Sequence, residues 1–383
     1  MTKYRFDQIA ENSTTKKKPE ESDRDRYVGL EHLDPGALEV TRWGAEVTPK
    51  GDKLLMKKGD VLFGRRRAYQ KKVGIAPFDG IFSAHGMVLC PKTDVIDSSF
   101  FPFFISSDAF LDEAIRVSVG SLSPTANWKD LRALGFNLPS LDKQRELADI
   151  LSEAEQLKGH YRNLLTACDD VVKSQFVEMF GGPDPTESDC PPVTIGELAA
   201  DIRYGTSKKA SDSGEFKYLR MNNMTDDGRL DLSDLKYIDL SGAELENAKV
   251  VRGDLLFNRT NSREKVGKTC VFNKNEPMVI AGYIVRVRFD ERVEPGYVSA
   301  FLNSNYGKAL LRKMAKGAVG QANISAKEMA KIELPLPPIE LQHSFLGFAA
   351  SVDKSKFAVQ KALDELNATT KKILNQELGL GDV

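Results

Sequence analysis

One short segment of this chain carries a high density of positive charge. Residues 65–72 read Arg-Arg-Arg-Ala-Tyr-Gln-Lys-Lys, which places five cations and one aromatic ring within eight residues. The segment follows an apolar run typical of a β-strand, so we expect a loop that can present these side chains to nucleic-acid phosphates and base edges. The candidate contacts are Arg65, Arg66, Arg67, Tyr69, Lys71 and Lys72. The alternative is a solvated turn between two strands.

A second segment of related chemistry lies about 195 residues later. Residues 258–265 read Asn-Arg-Thr-Asn-Ser-Arg-Glu-Lys. This mixture suits groove reading, because Arg can grip guanine and Asn can grip adenine with two hydrogen bonds each. The candidate contacts are Asn258, Arg259, Asn261, Arg263 and Lys265. Two such segments at one repeat position favour binding over a solvated turn.

Two polar segments form a further candidate set, because each lies shortly before a predicted long helix. The first contains Ser121, Ser123, Thr125 and Asn127, and the second contains Gln321, Asn323 and Ser325. Their hydroxyl and amide groups could contact nucleic acid, or they could equally cap a helix or fill a turn.

Catalytic motifs are lacking in the sequence. Gly267-Lys268-Thr269 resembles the end of a phosphate-binding loop, but Ser262 stands where the leading glycine is required. The four histidines show no spacing typical of a metal site or a triad, and the four cysteines form no CxxC pair. The formal net charge of −1 means that any nucleic-acid contact must come from local clusters. We therefore expect no catalytic residue and no metal ligand in this chain.

The elements that must position the basic segments are two long helices, predicted over residues 141–180 and 339–378. Each would be roughly 60 Å long. Apolar residues recur in both at alternating steps of three and four, which is typical of a coiled-coil seam. The predicted seam of the first helix is Leu147, Ile150, Ala154, Leu157, Tyr161, Leu164, Cys168 and Val171. That of the second is Phe345, Phe348, Val352, Val359, Ala362, Leu366 and Ile373, with Ser355 and Thr369 as polar interruptions.

The chain also repeats itself. Gly59-Asp-Val-Leu-Phe-Gly-Arg65 matches Gly253-Asp-Leu-Leu-Phe-Asn-Arg259, and Gln144 in the first helix matches Gln342 in the second. Strands are predicted over 60–63, 73–76 and 81–90 and again over 254–257, 270–272 and 279–289, with helical patterns over 101–117 and 297–314. The predicted fold is α+β, with two mixed α/β domains and an intramolecular coiled coil in a pseudo-twofold internal repeat. The predicted boundaries are 1–140, 141–181, 182–337 with a linker over 182–192, and 338–383.

Motifs in both halves carry a family resemblance that covers essentially the whole chain. In the second half they are Gly253-Asp-Leu-Leu-Phe-Asn-Arg-Thr-Asn-Ser262, Val266-Gly-Lys268, Asn323-Ile-Ser325 and Leu334-Pro-Leu-Pro-Pro-Ile-Glu-Leu-Gln342. In the first they are Phe63-Gly-Arg-Arg-Arg67, Ser83-Ala-His85 and Ser118-Val-Gly-Ser-Leu-Ser-Pro124. Together with the duplication, these motifs resemble the specificity (S) subunits of type I restriction-modification systems.

The resemblance implies two target-recognition domains, each reading one part of a bipartite, asymmetric DNA site, spaced by two antiparallel helices. It implies double-stranded DNA, two methylation (M) subunits and restriction (R) subunits as partners. S-adenosylmethionine, ATP and Mg would then be bound by those partners, and this chain would hold no cofactor. The halves differ most over 12–55 and 201–211, so different half-sites are expected.

Two other function classes stay open. A self-contained enzyme would need a catalytic set within the unlike segments. A coiled-coil protein-binding scaffold without DNA readout would show no salt-dependent DNA affinity. No apolar run approaches the roughly 20 residues of a membrane span, and the N-terminal segment is polar, so we expect a cytoplasmic protein without membrane contact.

Overall fold

The computed structural model describes residues 1–181, 184, 188, 190–317 and 321–380. Most of the predicted linker over 182–192 lies outside these residues. The described chain divides into two compact units, Met1–Leu164 with Val359–Val383 and Leu165–Ala358. Each long helix therefore contributes one part to each unit, whereas the predicted domain boundaries set the helices apart. Those boundaries stay a prediction.

The first unit combines two sheets with short helices. Its elements are β1 (Thr2–Arg5), α1 (Phe6–Ile9), β2 (Ala10–Ser13), β3 (Lys16–Lys17), β4 (Tyr27–Val28), β5 (Lys53–Met56), β6 (Val61–Phe63), β7 (Val73–Ile75), β8 (Gly80–Phe82), β9 (Met87–Pro91), α2 (Phe101–Ser106), α3 (Asp108–Arg116), α4 (Trp128–Leu131), β10 (Gly135–Leu138) and the start of α5 (Leu141–Phe180). One sheet has the order β2-β9-β6-β7 and is antiparallel, and the other has the order β3-β5-β8-β4 with a parallel β4–β8 pair. Strand β1 pairs with β10.

The second unit repeats this arrangement. Its elements are the end of α5, β11 (Pro192–Thr194), α6 (Ile195–Leu198), β12 (Ala199–Tyr204), β13 (Phe216–Leu219), β14 (Lys236–Ile238), α7 (Gly242–Ala248), β15 (Lys249–Val250), β16 (Leu255–Asn258), β17 (Thr260–Asn261), β18 (Thr269–Val271), β19 (Met278–Ile280), β20 (Ile284–Phe289), α8 (Pro295–Asn303), α9 (Asn305–Met314), β21 (Ala322–Asn323), α10 (Ala326–Met329), β22 (Glu333–Pro335) and the start of α11 (Ile339–Glu377). The sheets have the orders β12-β20-β16-β18 and β14-β13-β19-β15, with short pairs β11–β22 and β17–β21.

The central strand of each unit shows how the sequence builds the layers. Val61 and Phe63 of β6 lie in the core that the helices share, whereas Leu62 between them lies in the core between the two sheets. Successive strand residues point to opposite faces, so a strand buried on both faces must be apolar throughout. Strand β16 does the same with Leu255 and Phe257 on one face and Leu256 on the other.

The repeated glycines before these strands have a backbone reason. Gly59 has a φ of 92° and Gly253 has a φ of 94°. A side chain strains the backbone in this left-handed region, so both copies use glycine at the turn into the strand.

Two predicted runs per unit are in fact interrupted. The predicted strand over 81–90 is β8 and β9 in different sheets, and the run over 279–289 is β19 and β20. Likewise, the helical pattern over 101–117 breaks at Ser107, and that over 297–314 breaks at Ser304. Each serine hydroxyl accepts a backbone hydrogen bond and caps the following helix, which is why the break falls there.

The predicted long helices are confirmed as α5 and α11. In the first unit, Lys143 Nζ lies 3.7 Å from Glu377 Oε1, whereas Lys158 and Thr370 line one cavity, so the helix segments run antiparallel. In the second unit, Phe345 packs against Phe176 with ring centroids 5.4 Å apart, and Lys356 pairs with Asp169. The segments are antiparallel there too.

The predicted seam is half correct in each long helix. One row of predicted positions faces inward, since Leu147 and Phe345 are buried and Ala154, Val352 and Val359 are partly buried. The other row falls one residue later than predicted, at Leu151 and Lys158 in α5 and at Lys356 and Leu363 in α11. The predicted positions Ile150, Leu157, Leu164 and Val171 are exposed. A neighbouring carboxylate makes the burial of Lys158 possible, because Lys158 Nζ donates to Glu155 at 2.6 Å and a lysine can then occupy the buried face.

Of the helices in the described ranges, none has the length and apolar content to cross a membrane.

Candidate nucleic-acid interface

The first basic loop, residues 65–72, lies against the first polar segment, residues 121–127. The Ala126 N–H donates to the Arg65 carbonyl at 3.0 Å, and the Arg67 N–H donates to the Pro124 carbonyl at 2.7 Å. Arg66 and Thr125 form an antiparallel bridge between these bonds. Two segments about 60 residues apart in sequence therefore form one surface.

The second basic loop, residues 258–265, joins the second polar segment, residues 321–325, in the same manner. Thr260 pairs with Asn323 and Asn261 pairs with Ala322 in the β17–β21 ladder. The Ile324 N–H donates to the Arg259 carbonyl at 2.9 Å, as Ala126 does to Arg65 in the first unit. Each unit thus assembles its two candidate segments into one surface.

The first basic loop has an unusual backbone. Arg67 has a φ of 55° and Lys71 a φ of 51°, and these are the non-glycine residues with positive φ in the described chain. They flank a single 3₁₀ turn over Ala68–Gln70, whose Ala68 is buried. Left-handed conformations cost free energy in residues with a side chain and persist where the surroundings fix them. The turn leaves Arg66, Arg67 and Tyr69 exposed to solvent.

The arginines of this loop differ from most others of the unit in their charge environment. Arg24, Arg42 and Arg116 form salt bridges with Glu21, Asp34 and Glu113. Within the part of the chain that the structure describes, no carboxylate lies within salt-bridge distance of the arginines of the first basic loop, Arg65, Arg66 and Arg67. Their charge is uncompensated, as an anionic ligand would require.

The two lysines of the loop are engaged within the protein. Lys71 Nζ lies 2.9 Å from Asp108 Oδ1 and 2.8 Å from Asp112 Oδ1. Lys72 Nζ donates to the Leu30 carbonyl at 2.6 Å. Lys71 and Lys72 thus help to hold the loop in place, and Arg65, Arg66 and Arg67 are the cations of the loop without a carboxylate partner in the described chain; that the two lysines contact DNA stays a prediction.

His85 is a member of this surface that the sequence did not identify. Its Nε2 lies 3.4 Å from Arg66 Nη1, and its carbonyl accepts the Arg66 N–H. Partial burial lowers the pKa of His85, and the charges of Arg66, Arg65 and Lys53 lower it further. The ring is therefore neutral at pH 7, with one donor and one acceptor nitrogen.

In the second basic loop, Arg259 is held by an aromatic ring. Its guanidinium lies over the Tyr204 ring, 5.0 Å from the centroid. The Tyr204 hydroxyl accepts the Ala326 N–H at 3.0 Å, which fixes the ring. Tyr204 was also missed, because 55 residues separate it from Arg259 in the sequence and nothing local relates them.

Other residues of the second loop have varied environments. Arg263 Nη2 donates to the Ala315 carbonyl at 3.4 Å, and Lys265 is exposed. Asn261 Oδ1 accepts the Ser262 N–H, which leaves its NH₂ group free to donate. In the described ranges, Arg259 and Arg263 form no salt bridge with a carboxylate.

Asn258 is a correction to the predicted site. It is 0% exposed, so its side chain cannot reach a base edge in this conformation. Neither its amide nitrogen nor its amide oxygen has a hydrogen-bond partner in the described chain. The last residue of β16 belongs to the interior, where β16 is buried on both faces.

Some residues of the two polar segments cap a helix or fill a turn, whereas others are exposed and could contact nucleic acid. Ser325 caps α10, because its hydroxyl accepts the Glu328 N–H and the Glu328 carboxylate accepts the Ser325 N–H. Hydrogen bonds from Lys316 and Ser325 lower the pKa of Glu328 to about 2. Thr125 donates to the Ser123 carbonyl within a turn. Ser121 and Gln321 are exposed to solvent. Asn127 is the N-cap residue of α4, but its side chain makes no capping hydrogen bond. The Asn323 side-chain oxygen accepts a hydrogen bond from the Thr260 hydroxyl at 3.1 Å.

The described residues contain no group of three or more His, Cys, Asp or Glu side chains that could hold a metal ion. The residues of the site carry guanidinium, amide, hydroxyl and imidazole groups, which include both donors and acceptors of hydrogen bonds. Such groups contact phosphates and base edges.

Comparison with known families gives a match over most of the chain. The family described as type I restriction modification DNA specificity domain matches residues 3–165 and 188–376. Each match contains one basic loop and its polar segment.

Individual relatives agree with the family match. The specificity subunit of the type I restriction enzyme EcoKI from Escherichia coli K12 is 24% identical over 356 residues, which cover 86% of this chain and 74% of that subunit. The MjaVIII specificity subunit of Methanocaldococcus jannaschii is 21% identical over 316 residues, covering 77% of this chain and 73% of the relative.

A solved structure shares the fold. One chain from a study of complex assembly and conformational transition of the type I R-M system has a TM-score of 0.57 and 18% identity, and the similarity covers 100% of this chain and 98% of that one.

Proposed function

Since the chain belongs to the type I restriction-modification DNA specificity family, we propose that its two halves each read one part of a bipartite, asymmetric DNA sequence. The first half would read through the first basic loop with Ser121, Ser123 and Asn127. The second half would read through the second basic loop with Gln321 and Asn323. The predicted contact Asn258 is left out because of its burial.

The observation that carries this proposal is the equivalent surface in both units. In each, a basic loop after the central strand is bonded to a distant polar segment, with Arg65 or Arg259 at the junction. Both of these arginines have a buried Nε without a partner in the described chain, and neither has a carboxylate neighbour there. Fixed, uncompensated arginines supply the positive charge and the paired donors that DNA phosphates and guanine edges can accept.

The side chains around each junction differ, and this supports an asymmetric site. Arg66 and Arg67 follow the junction in the first half, and Thr260 and Asn261 follow it in the second. His85 adds an imidazole only in the first. Different donor and acceptor sets select different bases, so the two half-sites would differ in sequence.

The chain would act without catalysing a reaction or binding a cofactor itself. We propose that two methylation subunits supply S-adenosylmethionine chemistry, that restriction subunits supply ATP-dependent and Mg-dependent cleavage, and that the assembly works on double-stranded DNA in the cytoplasm. The family membership supports this division.

An exposed apolar face on α5 supports docking of a methylation subunit. In the first unit, Ile150, Leu157 and Leu164 are 46%, 41% and 46% exposed. We call these three residues the outer stripe. They recur every seven residues and so lie in one row along the helix, as one of the two apolar positions of each heptad does in a coiled coil. The occupant would be an apolar helix of a methylation subunit.

A segment exchange tests the half-site assignment. Residues 193–336 would be replaced by those of a relative, the chain would be assembled with its methylation subunits, and methylated sites would be sequenced. Change confined to one half of the recognised sequence is the expected result. Change in both halves would contradict independent reading, and complete absence of salt-dependent DNA binding would favour the scaffold alternative.

A further inference from the structure

The first basic loop is connected to the second long helix through one carboxylate. Asp108 Oδ1 lies 2.9 Å from Lys71 Nζ, and Asp108 Oδ2 lies 2.9 Å from Lys371 Nζ. Lys71 is the last residue of the strained turn, and Lys371 lies in α11. All three belong to the first unit.

Asp108 is well suited to hold two ammonium groups. It occupies the first turn of α3 after the Ser107 cap, where the helix dipole favours a negative charge. Its side chain is only 17% exposed. Burial raises the pKa of the Asp108 carboxyl, but hydrogen bonds from Lys371 and Lys71 outweigh it, so the net pKa lies below the ordinary value. The carboxylate is therefore ionised at neutral pH.

The ion pairs lie beside an apolar contact between the same elements. Leu374 and Leu378 of α11 share a hydrophobic core with Phe103 and Leu111. A cavity of about 470 Å³ adjoins this contact, and Lys71, Asp108 and Lys371 all line it. At this cavity, the ion pair of Asp108 and Lys371 bridges α3 and α11 in addition to that apolar contact. The loop end is thereby tied to a point on α11.

We propose that Asp108 and Lys371 are positioning residues for DNA reading by the first basic loop. Asp108, together with Asp112, holds Lys71 at the end of the turn that presents Arg66 and Arg67, and Lys371 orients Asp108. The inference rests on the proposed DNA contact of this loop. The ion pairs from Lys371 through Asp108 to Lys71 also connect α11 with the first basic loop. A partner subunit bound to the helices would therefore influence recognition of the first half-site.

The test uses the full chain in complex with its methylation subunits. DNA binding is measured by fluorescence anisotropy on a labelled duplex that carries the sequence assigned by methylome sequencing of the intact system. Lys371→Met should weaken binding about threefold to fivefold, as expected for a partly exposed ion pair. The matched control is Lys372→Met, at the next residue, which is exposed and has no salt bridge in the described chain.

A double-mutant cycle separates positioning from direct contact. In an Asp108→Asn background, Lys371→Met should have no further effect, because its partner is already neutral. Lys371→Arg should bind DNA as tightly as the unmodified complex, because it keeps the positive charge. The salt dependence of binding should be unchanged in Lys371→Met, because no phosphate contact is lost. Base changes in the first half-site should be discriminated less well, and those in the second equally well.

Some results would overturn the inference. If Lys371→Met binds like Lys372→Met, or if its effect persists in the Asp108→Asn background with a shallower salt slope, Asp108 does not position the loop. Failure of the unmodified complex to bind DNA would instead refute the proposed function. Should Asp108→Asn fail to fold, the comparison of Lys371→Met, Lys371→Arg and Lys372→Met still decides.

Discussion

Gln144 and Gln342 make equivalent hydrogen bonds at the start of the two long helices. Gln144 Oε1 accepts the Asp97 N–H at 2.8 Å, and its Nε2 donates to the carbonyls of Pro139 and Val95 at 2.9 and 3.3 Å. Gln342 repeats this with Glu294, Pro337 and Arg292 at 2.9, 2.8 and 3.2 Å. Both glutamines are buried. Each one clamps a long helix to the loop before α2 or α8.

Replacing either glutamine should lower the free energy of unfolding. Gln342→Leu would leave one backbone N–H and two carbonyls without partners in the interior, so we expect unfolding to become easier by roughly 2 to 4 kcal/mol. Urea unfolding of the full chain, followed by circular dichroism, measures this. Gln360→Leu is the control, because Gln360 is exposed on the same helix and should change stability by less than about 0.5 kcal/mol. Equal effects of the two substitutions would refute the clamp.

The uncompensated arginines predict a salt effect. Arg66→Ala combined with Arg67→Ala should make the dependence of DNA affinity on salt shallower by up to about 2 in the log–log slope, since each lost phosphate contact removes about 0.9. Adding Arg65→Ala should abolish modification of the target site while assembly with the methylation subunits stays intact. Anisotropy titrations at several salt concentrations and size-exclusion chromatography measure the two properties.

The control for this prediction is a pair of arginines that already have carboxylate partners. Arg42→Ala with Arg116→Ala removes the same charge from the same unit. This variant should keep the slope of the unmodified protein to within about 0.5. A triple Arg65, Arg66 and Arg67 variant that still methylates normally would show that the first basic loop is a surface turn.

The bond between Thr260 and Asn323 predicts an effect on the second half-site. Thr260→Val removes the donor that fixes the Asn323 amide, so its NH₂ group is no longer oriented. A lost hydrogen bond of about 1 kcal/mol corresponds to roughly fivefold weaker binding. Discrimination among bases should fall in the second half-site only, as read by methylation-site sequencing. Thr369→Val, the same change on the exposed face of α11, is the control, and loss of discrimination in the first half-site would contradict the assignment.

Much of the fold was predictable because it repeats. Turn glycines such as Gly59 and Gly253, and the helix boundaries at residues 141 and 339, follow from local backbone chemistry that the sequence displays. Only one of the two inward rows of α5 was predictable from periodicity. Ile150 and Leu157 satisfy the apolar pattern of the other row, yet Lys158 lies inside because Glu155 neutralises it. Burial there depends on tertiary neighbours.

The candidate site was predictable as two segments but not as a surface. Arg65 and Ala126 meet because β6 ends beside the loop before α4, a relation with no local signal. His85 and Tyr204 join for the same reason. Lys71 and Lys72 appeared available in the sequence because their partners, Asp108 and Leu30, lie about 40 residues away on other elements. The residue contacts with DNA stay predictions.

The aromatic cluster in the second unit predicts where the helix pair is stabilised. Phe345 is almost fully buried, and its ring lies 5.4 Å from that of Phe176 and 5.5 Å from that of Phe180. Phe345→Ala should therefore lower stability by about 3 to 5 kcal/mol. Phe357, on the same helix, is 73% exposed, so Phe357→Ala should change stability by less than about 0.5 kcal/mol. Similar thermal unfolding of both variants would argue against this cluster as the stabilising contact.

The outer stripe predicts a separation of folding from assembly. Ile150, Leu157 and Leu164 are 46%, 41% and 46% exposed, so more than half of the surface of each residue is buried within the folded chain. Changing all three to Ser should therefore lower stability by about 1 kcal/mol per site, well below the cost of a core substitution. Binding of the methylation subunit should weaken at least a hundredfold, because burying three such side chains contributes roughly 1 kcal/mol or more each.

The matched control changes another exposed face of the same helix. Glu153, Gln156 and Asn163 are exposed, and their triple Ser variant introduces the same three Ser residues into α5 without removing an apolar side chain. Pull-down and analytical ultracentrifugation with the methylation subunit should show that this variant assembles normally. If both triple variants assemble equally well, the outer stripe is not the docking surface. If only the stripe variant fails to assemble although it stays folded at the temperature of the assay, one row of the predicted intramolecular seam serves the partner subunit instead.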